Sequence, residues 1–432
     1  MMAAGSHQGT KEVRLPYGEQ ELVIHLPERN LMDVLTPRAR AVKPDPSAEV
    51  RRALANPIGA PRLAEAARGA RRVVILADDL TRQTPLKVLL PELLGELNQA
   101  GVRDEQVCVL IALGTHRPMT QPEIARHFGP ETVGRVAILN HPWQDPAQMV
   151  DLGETANGTP LQICRLALEA DFLIGLGSIV PHHIPGYSGG AKIVQPGISG
   201  EATTGATHFL STRTRRSYLG LADNIVREEM EQIAARVGLK AILNVVLDPG
   251  GGLAGAFYGD FRLAHRAGLG LAREVYGVPY RGEAEIVIAG SHPCDIEFWQ
   301  AHKSLYPADM VVKEGGTIVL VTPCPEGVSR THQKMLDYTA LDALEIERLI
   351  LAGEIADVAS GALALAWAKV RQRATIALVS AGISKPEAAA LGFSPYDSLE
   401  DALRAAFQKH GAEAGVSVLT HAPDTLPLRA EG

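Results

Sequence analysis

Short hydrophobic runs alternate with longer amphipathic stretches along most of the chain. Uninterrupted apolar runs are typical of buried parallel strands, whereas apolar residues spaced three and four apart indicate helices. The pattern predicts strands at 72–77, 106–112, 136–139, 172–175, 241–246, 285–290, 316–321, 375–380 and 416–419. It predicts helices at 85–100, 223–237, 260–277, 339–352 and 398–410. Because strands and helices alternate, we expect an α/β fold with mostly parallel sheets covered on both faces.

The alternating pattern is interrupted near residue 280, where Pro279 and Gly282 fall between a predicted helix and a predicted strand. At ~150 residues per domain, a chain of 432 residues favours more than one domain. We therefore expect two α/β domains, formed by residues 12–279 and 283–411. Ligands of open α/β sheets bind at the carboxyl ends of the strands, so the active site is expected in the cleft between the domains.

The two ends of the chain fit this pattern less well. Residues 1–11 are small and polar and lack the apolar core of a signal peptide, so we expect them to be disordered. The last strand candidate, at 416–419, could return to the first domain together with the rest of 412–432.

Composition narrows the classes of function. The formal net charge is −7 and both signs are mixed along the chain, which argues against nucleic acid and membrane partners. No apolar run reaches the ~18 residues of a membrane span. The four cysteines are far apart and form no CxxC pair, which predicts reduced thiols in a cytoplasmic protein and excludes a zinc cluster.

Polar residues follow two of the predicted strands in the first domain. Asp79 and Arg82 come after the strand at 72–77, and His116 follows Gly114 after the next strand. A guanidinium can bind a carboxylate or phosphate through two hydrogen bonds, and an imidazole titrates near neutral pH. These residues are candidates for a substrate clamp and an acid–base group. A helix N-cap and a loop histidine bonded to the backbone would also explain them.

Residues 182–200 form a glycine-rich loop with two adjacent histidines and a lysine. Its candidates for cofactor binding are Ser188, Gly189, Gly190 and Lys192. Such a loop can present backbone N–H groups to an anion, and a lysine can pair with a phosphate or bond covalently through its amine. The loop does not fit the P-loop pattern, because Ile193 follows Lys192. Turn glycines without a ligand remain the alternative.

Other polar residues complete the set of candidates. His182 and His183 are adjacent, so we expect their side chains to diverge and only one to face the reacting atom. His208 is either a metal ligand or a surface or capping histidine, since neutral imidazole suits zinc, copper, iron and nickel. Gln300 and Lys303 would share one face of a helix and could hold a carboxylate, or form a solvated first turn.

Taken in order, these segments resemble the nickel-dependent lactate racemase family. The motifs that carry the resemblance are DLTR at 79–82, GTHR at 114–117, PH at 181–182, GYSGGAK at 186–192, His208, and QAHK at 300–303. The resemblance covers most of the chain. It implies two α/β domains with the active site between them. It also implies a nickel-pincer nucleotide, a pyridinium mononucleotide whose ring carbon and two sulfur atoms bind nickel.

The resemblance also implies roles for the residues near the cofactor. Lys192 would tether the cofactor and His208 would bind nickel, beside the loop of Ser188, Gly189 and Gly190. Other enzymes of the cell would have to synthesise this cofactor.

For the substrate, the resemblance implies that His116 and His182 are the acid–base histidines, one on each face. The groups that would hold the substrate carboxylate are Arg82, supported by Asp79, and Gln300 and Lys303.

The implied reaction is inversion of the C2 centre of a 2-hydroxy acid by proton-coupled hydride transfer through a 2-keto acid. The α-hydrogen is poorly acidic beside a carboxylate, and its removal as hydride avoids a carbanion. One histidine takes the hydroxyl proton and the other returns a proton on the opposite face. His183, Glu297, Trp299 and His302 lie beside the motif residues. The substrate is then lactate or, as these residues favour, an acid larger and more polar than lactate, such as gluconate.

Two other functions remain open at this point. An ATP-dependent kinase of acid sugars would explain the residues around Asp79 but not the loop at 182–200. A non-catalytic carrier of nickel or a nucleotide would need neither His116 nor His182.

Overall fold

The computed structural model describes residues 9–430. Most of the segment predicted to be disordered, residues 1–11, therefore lies outside the described residues. Of that segment, Thr10 and Lys11 belong to the first strand.

The strands of the described residues follow the predicted pattern and add shorter strands to it. In chain order they are β1 (Thr10–Tyr17), β2 (Gln20–Pro27), β3 (Leu31–Leu35), β4 (Val73–Ala77), β5 (Val107–Ile111), β6 (Ala137–Asn140), β7 (Met149–Glu154), β8 (Pro160–Cys164), β9 (Phe172–Ser178), β10 (Pro181–His182), β11 (Gly186–Tyr187), β12 (Leu239–Leu247), β13 (Leu253–Gly259), β14 (Gly277–Tyr280), β15 (Ala284–Gly290), β16 (Val312–Val321), β17 (Thr375–Val379), β18 (Ser394–Tyr396), β19 (Val416–Leu419) and β20 (Leu426–Arg429). All nine predicted strands are present among these.

The α-helices include the five that the sequence predicts. In chain order they are α1 (Pro46–Ala55), α2 (Leu63–Ala66), α3 (Leu86–Gln99), α4 (Gln121–Phe128), α5 (Pro130–Arg135), α6 (Arg165–Leu168), α7 (Glu201–Ser211), α8 (Ile225–Val237), α9 (Leu263–Tyr276), α10 (Phe298–Ala301), α11 (Leu305–Val311), α12 (Ala343–Leu351), α13 (Val358–Arg373), α14 (Lys385–Ala390) and α15 (Leu399–His410). None of the helices in residues 9–430 is both long enough and apolar enough to span a bilayer.

The first large sheet has the strand order β13-β12-β9-β4-β5-β6. Its pairs are parallel except for β12 with β13, which are antiparallel and form one edge. Strands β4 and β9 are buried along their whole length, as expected for central strands with helices on both faces. The α/β fold with mostly parallel sheets is therefore confirmed.

The second large sheet has the order β18-β17-β16-β15-β19-β3, and every pair in it is parallel. The expectation that 416–419 could return to the first domain is wrong, because β19 lies between β15 and β3 in this sheet. Strand β3 also belongs here, although it falls within the predicted first domain, residues 12–279. Both errors have one cause: strand patterning reveals that a segment is buried, but not which sheet buries it.

The chain crosses between the sheets more than once. The segment predicted as a linker contains β14, which pairs in parallel with β20 near the C-terminus. The two sheets are thus joined through β3, through β14 and through the C-terminal segment.

Helices α7 and α13 pack closely against each other between the two sheets. A Cβ atom placed on Gly205 of α7 would lie 2.8 Å from Cβ of Val358 and 3.2 Å from the backbone nitrogen of Ala359. A glycine is therefore required for this approach, which joins the helix after the glycine-rich loop to the second domain.

Gly205→Ala should lower the thermal unfolding midpoint, because overpacking of a filled contact costs ~1–3 kcal/mol. Gly95→Ala in α3 is the matched control, since a Cβ there meets no atom within 4 Å. That variant should be as stable as the parent or more stable by up to ~1 kcal/mol. Equal midpoints for Gly205→Ala and the parent would contradict the close packing of the two helices.

Candidate active site

A cleft lies at the carboxyl ends of β4, β5 and β9. The segment after β15 faces it from the second domain, so side chains of both domains line it. The predicted site residues that line the cleft are Asp79, Arg82, His116, His182, Ser188, Gly189, Lys192, His208 and Lys303. Gln300 reaches the same site through a hydrogen bond to His116. Gly190 belongs to the loop that forms one wall.

A carboxylate holds the ring of His116. Nδ1 of His116 donates to Oδ2 of Asp79 over 2.6 Å, since an ionised carboxylate can only accept. Burial raises the pKa of Asp79, but His116 and Arg82 outweigh this effect and hold that pKa well below its ordinary value. Asp79 is therefore ionised and fixes the ring orientation of His116.

Asp79 was expected to support Arg82, but the contact between them is indirect. Oδ1 of Asp79 accepts from the backbone N–H and the hydroxyl of Thr81. Arg82 in turn donates to the Thr81 hydroxyl over 2.7 Å and to its carbonyl over 3.1 Å. The direct partner of the carboxylate is His116.

Gln300 and Lys303 extend this network from the second domain. Lys303 has only donors, so Oε1 of Gln300 accepts from it and the amide nitrogen of Gln300 faces the other way. That amide donates to Nε2 of His116 over 2.9 Å. Nε2 of His116 therefore carries a lone pair, as a general base requires, and a substrate must displace Gln300 to reach it. Burial and Arg82 lower the pKa of Lys303 to about 8.

His182 has the opposite tautomer. Its Nδ1 accepts from the backbone N–H of Ile184 over 3.2 Å, so Nε2 carries the proton of the neutral ring. Burial, with Lys192 and other cations nearby, holds the pKa of His182 well below its ordinary value. In this protein His182 is a hydrogen-bond donor at Nε2, whereas His116 is an acceptor there.

The side chains of His182 and His183 do not diverge as expected. Their rings stack with centroids 4.8 Å apart, and both line the cleft. Side chains alternate only along an extended strand, and here the chain turns immediately after His182. His183 therefore places a further imidazole in the cleft, directly beside His182.

The glycine-rich loop is tightly packed. A Cβ on Gly189 would lie 2.7 Å from Oδ1 of Asn244, and one on Gly190 would lie 2.9 Å from the ring of His265; both glycines have positive φ. The amide of Ser188 donates to the carbonyl of Val180 over 2.8 Å, and the amide of Gly190 donates to Asn244 over 2.7 Å. These two amides are engaged within the protein and are not offered to an anion.

Lys192 and His208 face the cleft from the loop and from α7. Burial, together with Arg82 and Lys303, holds the pKa of Lys192 well below its ordinary value. This environment favours the uncharged, nucleophilic form of its amine. Nδ1 of His208 donates to the carbonyl of Thr204 over 2.8 Å, which leaves the lone pair on Nε2. Burial and Lys192 lower the pKa of His208 to about 4.

Two residues that the sequence analysis did not single out hold the loop from behind. Arg227 of α8 is buried and donates to the carbonyls of Tyr187 and Gly189. His265 of α9 donates from Nε2 to the carbonyl of Ser188 over 2.9 Å. A charged residue within an amphipathic helix is normally solvated, so the sequence carried no signal for these contacts.

Comparison with known proteins agrees with this geometry. Residues 17–220 match the family model of the lactate racemase N-terminal domain, and residues 280–424 match that of the lactate racemase C-terminal domain. The chain belongs to the lactate racemase family. It is a racemase, and hence an isomerase, so the interpretations as a sugar-acid kinase or a non-catalytic carrier are wrong.

Named relatives and solved structures extend this result. Lactate racemases of Thermoanaerobacterium thermosaccharolyticum and Lactiplantibacillus plantarum are each 34% identical over 322 residues, 73% of this chain and 75% of theirs. The lactate racemase apoprotein structure from T. thermosaccharolyticum superposes with a TM-score of 0.86 at 27% identity, over 97% of this chain and 100% of that one. A Thermotoga maritima protein shares the fold, with a TM-score of 0.74 at 18% identity over 90% and 100% of the chains.

Asp79→Asn should reduce kcat by about 100-fold or more with little change in KM, because an amide can reverse the tautomer of His116 and remove its base. The measurement is steady-state racemisation in both directions. Asp171→Asn is the control, since Asp171 accepts from two backbone amides at the surface. A variant at Asp79 with the parent's kcat would show that this carboxylate does not orient the base.

Proposed function

We propose that this racemase inverts the C2 centre of a 2-hydroxy acid with a nickel-pincer nucleotide as cofactor. The substrate would be lactate or, as argued below, a larger and more polar acid. The observation that carries the proposal is the pair His116 and His182, which have complementary tautomers and line a cationic cleft. Lactate racemase relatives support the same reaction class.

The substrate carboxylate would bind between Arg82 and Lys303. Both cations line the cleft, and a guanidinium can hold a carboxylate through two hydrogen bonds. When the carboxylate draws Lys303 away, Gln300 loses its partner and can turn from His116 to the substrate. A pinned carboxylate would also retain the keto acid while its carbonyl swings between the two histidines.

The two histidines would then handle the hydroxyl proton. Nε2 of His116 takes it, and the resulting imidazolium is stabilised by Asp79. His182 presents an Nε2–H to the oxygen on the opposite face. When bound, the cofactor supplies the acceptor for the C2 hydrogen, which leaves as hydride.

The residues near the glycine-rich loop fit a cofactor of this kind. A buried Lys192 amine whose pKa is lowered suits covalent attachment to a carboxyl or thiocarboxyl group. His208 offers a free Nε2 whose orientation is set by its bond to Thr204, as in many metal-binding histidines. Within residues 9–430 no group of three or more His, Cys, Asp or Glu is placed to hold a metal ion. A single protein ligand fits a metal that arrives with its other ligands on an organic group.

Unsatisfied polar atoms favour a hydroxylated substrate. Nε2 of His183, both ring nitrogens of His302 and Oγ1 of Thr204 are buried and have no hydrogen-bond partner among the described residues. All three side chains line the cleft. A buried polar group without a partner costs about 1–3 kcal/mol, and a neutral imidazole can both donate to and accept from a hydroxyl. A polyhydroxy acid such as gluconate would satisfy these atoms better than lactate.

The proposal also concerns the cellular setting. Cofactor-synthesis enzymes would supply the nucleotide to this chain in the cytoplasm, and no nucleic acid or membrane partner is needed.

Nickel content tests the cofactor directly. The parent, co-expressed with cofactor-synthesis enzymes, should contain about one nickel per chain, as in a site with one metal-binding histidine. His208→Ala should lose it, whereas His25→Ala, at an exposed strand position, should retain it. Elemental analysis of purified protein measures all three. A parent without nickel, when a lactate racemase is loaded in the same cells, would overturn the proposal.

Substrate selectivity tests the role of the unpaired imidazoles. His302→Leu should lower kcat/KM for gluconate relative to lactate by about tenfold, the equivalent of one lost hydrogen bond. His141→Leu is the control, because His141 is buried outside the cleft. The measurement is the rate of C2 inversion of each acid by enzyme that carries its cofactor. A parent that prefers lactate, or an unchanged ratio in His302→Leu, would contradict a polyhydroxy substrate.

A further inference from the structure

A second histidine backed by a carboxylate lies at the contact between the domains. Nδ1 of His332 is 2.6 Å from Oδ2 of Asp357, and its Nε2 is 3.0 Å from Oγ1 of Thr115. His332 and Thr115 are buried, and Thr115 directly precedes His116 in the first domain. The proposed reaction uses none of the side chains of His332, Asp357 and Thr115.

The direction of each hydrogen bond follows from the chemistry of the groups. The carboxylate of Asp357 only accepts, so Nδ1 of His332 donates to it and Nε2 accepts from the Thr115 hydroxyl. Burial raises the pKa of Asp357, but the bond from His332 outweighs it and the pKa lies below its ordinary value. The ring of His332 also stacks on Trp299, with centroids 3.8 Å apart and planes 15° apart.

The arrangement resembles an Asp–His–hydroxyl triad, but it lacks the rest of an acyl-transfer site. The amide of Gly114 donates to the carbonyl of Gly197 over 2.9 Å, and the amide of His116 donates to that of Leu113 over 3.1 Å. The residues on either side of Thr115 therefore offer no N–H groups to an oxyanion. A positioning role fits better than a nucleophilic one.

Asp357 ties this arrangement to the helix packing between the sheets. Its Oδ1 accepts from the amide of Ser360, which makes it the N-cap of α13. Helix α13 packs against α7 at Gly205, and α7 carries His208. The start of one helix thus determines where His332 lies, and His332 holds the residue next to His116.

We propose that His332 and Asp357 are positioning residues, which hold Thr115 and thereby fix His116 relative to the second domain. The kinetic part of this inference rests on the acid–base role proposed for His116. The hydroxyl of Thr115 transmits the constraint, because it is the atom of the first domain that His332 binds.

A matched pair of hydroxyl deletions tests the proposal. Thr115→Val removes the bond to His332, and Thr317→Val removes a similar bond of 2.8 Å to Nε2 of His410 away from the cleft. Both threonines are buried, so both variants should lose similar thermal stability. Thr115→Val in the loaded enzyme should lower kcat about tenfold with KM within about twofold, as expected for a misplaced acid–base group. Thr317→Val should keep the parent's kcat. Equal kcat values for the two variants would overturn the proposal.

Double variants test whether the residues act as one unit. His332→Leu removes the bond to Thr115 together with the contacts to Asp357 and Trp299, so it should lower kcat at least as much as Thr115→Val does. The double variant should be no worse than His332→Leu, because the bond to Thr115 is already lost there. His332→Gln should recover part of the loss, since its amide oxygen can accept from Thr115. If the fold-reductions in kcat of the two single variants multiplied in the double variant, the two residues would act independently, which would contradict the proposal.

A readout without activity separates this inference from the proposed function. Ring ¹⁵N signals of His116 in the cofactor-free full-length chain report its tautomer, and His116→Gln assigns them. Thr115→Val should shift these signals and Thr317→Val should not. Unchanged His116 signals in Thr115→Val would overturn the link even if the enzyme is a 2-hydroxy acid racemase. If Thr115→Val shifts the His116 signals but the parent racemises no 2-hydroxy acid, the proposed function alone is refuted.

Discussion

The active site depends on the burial of positive charge between two domains. Arg82, Lys192 and Lys303 line one cleft, and Arg82 lowers the pKa of both lysines. Like charges in a region of low dielectric repel strongly, so such a cluster persists only where packing imposes it or an anion compensates it. Asp79 remains ionised and provides part of that compensation, whereas burial raises the pKa of Asp78. The positive charge that Asp79 does not compensate favours the binding of an anionic substrate.

The same environment makes the two histidines unequal. His116 has the carboxylate of Asp79 as its partner at Nδ1. His182 has a backbone amide at the same atom, so protonation there would set two donors against each other. Complementary tautomers mean that one ring can accept a proton while the other donates a hydrogen bond, without any rearrangement of the backbone. If His182 is the base of the reverse reaction, as proposed, it must give up its bond to Ile184, whereas His116 keeps its bond to Asp79 in the forward reaction.

The sequence predicted the elements better than their assembly. Short apolar runs rich in β-branched residues, such as β4 and β15, indicate buried strands, and the placement of polar residues after β4 and β5 follows from the topology of a parallel sheet. The sheet that receives β19, by contrast, is decided by long-range pairing, which a local pattern does not contain. The bond between His332 and Thr115 joins residues 217 positions apart, and no spacing in the chain signals it. For the cleft, the motifs located the side chains, but the direct partner of Asp79 emerged only from the geometry.

The repeated crossing of the chain explains why contacts far from the cleft matter to it. Strand β3 sits in the second sheet, the chain then builds the first sheet, and β14 pairs with β20 on the way back. Several chain crossings between the two sheets limit their relative movement to hinge or shear motions that all the crossings can accommodate. A shift of α13 against α7 would act on His208 through the helix and on His116 through His332. The proposed nickel ligand and the proposed acid–base group would then respond to the same displacement.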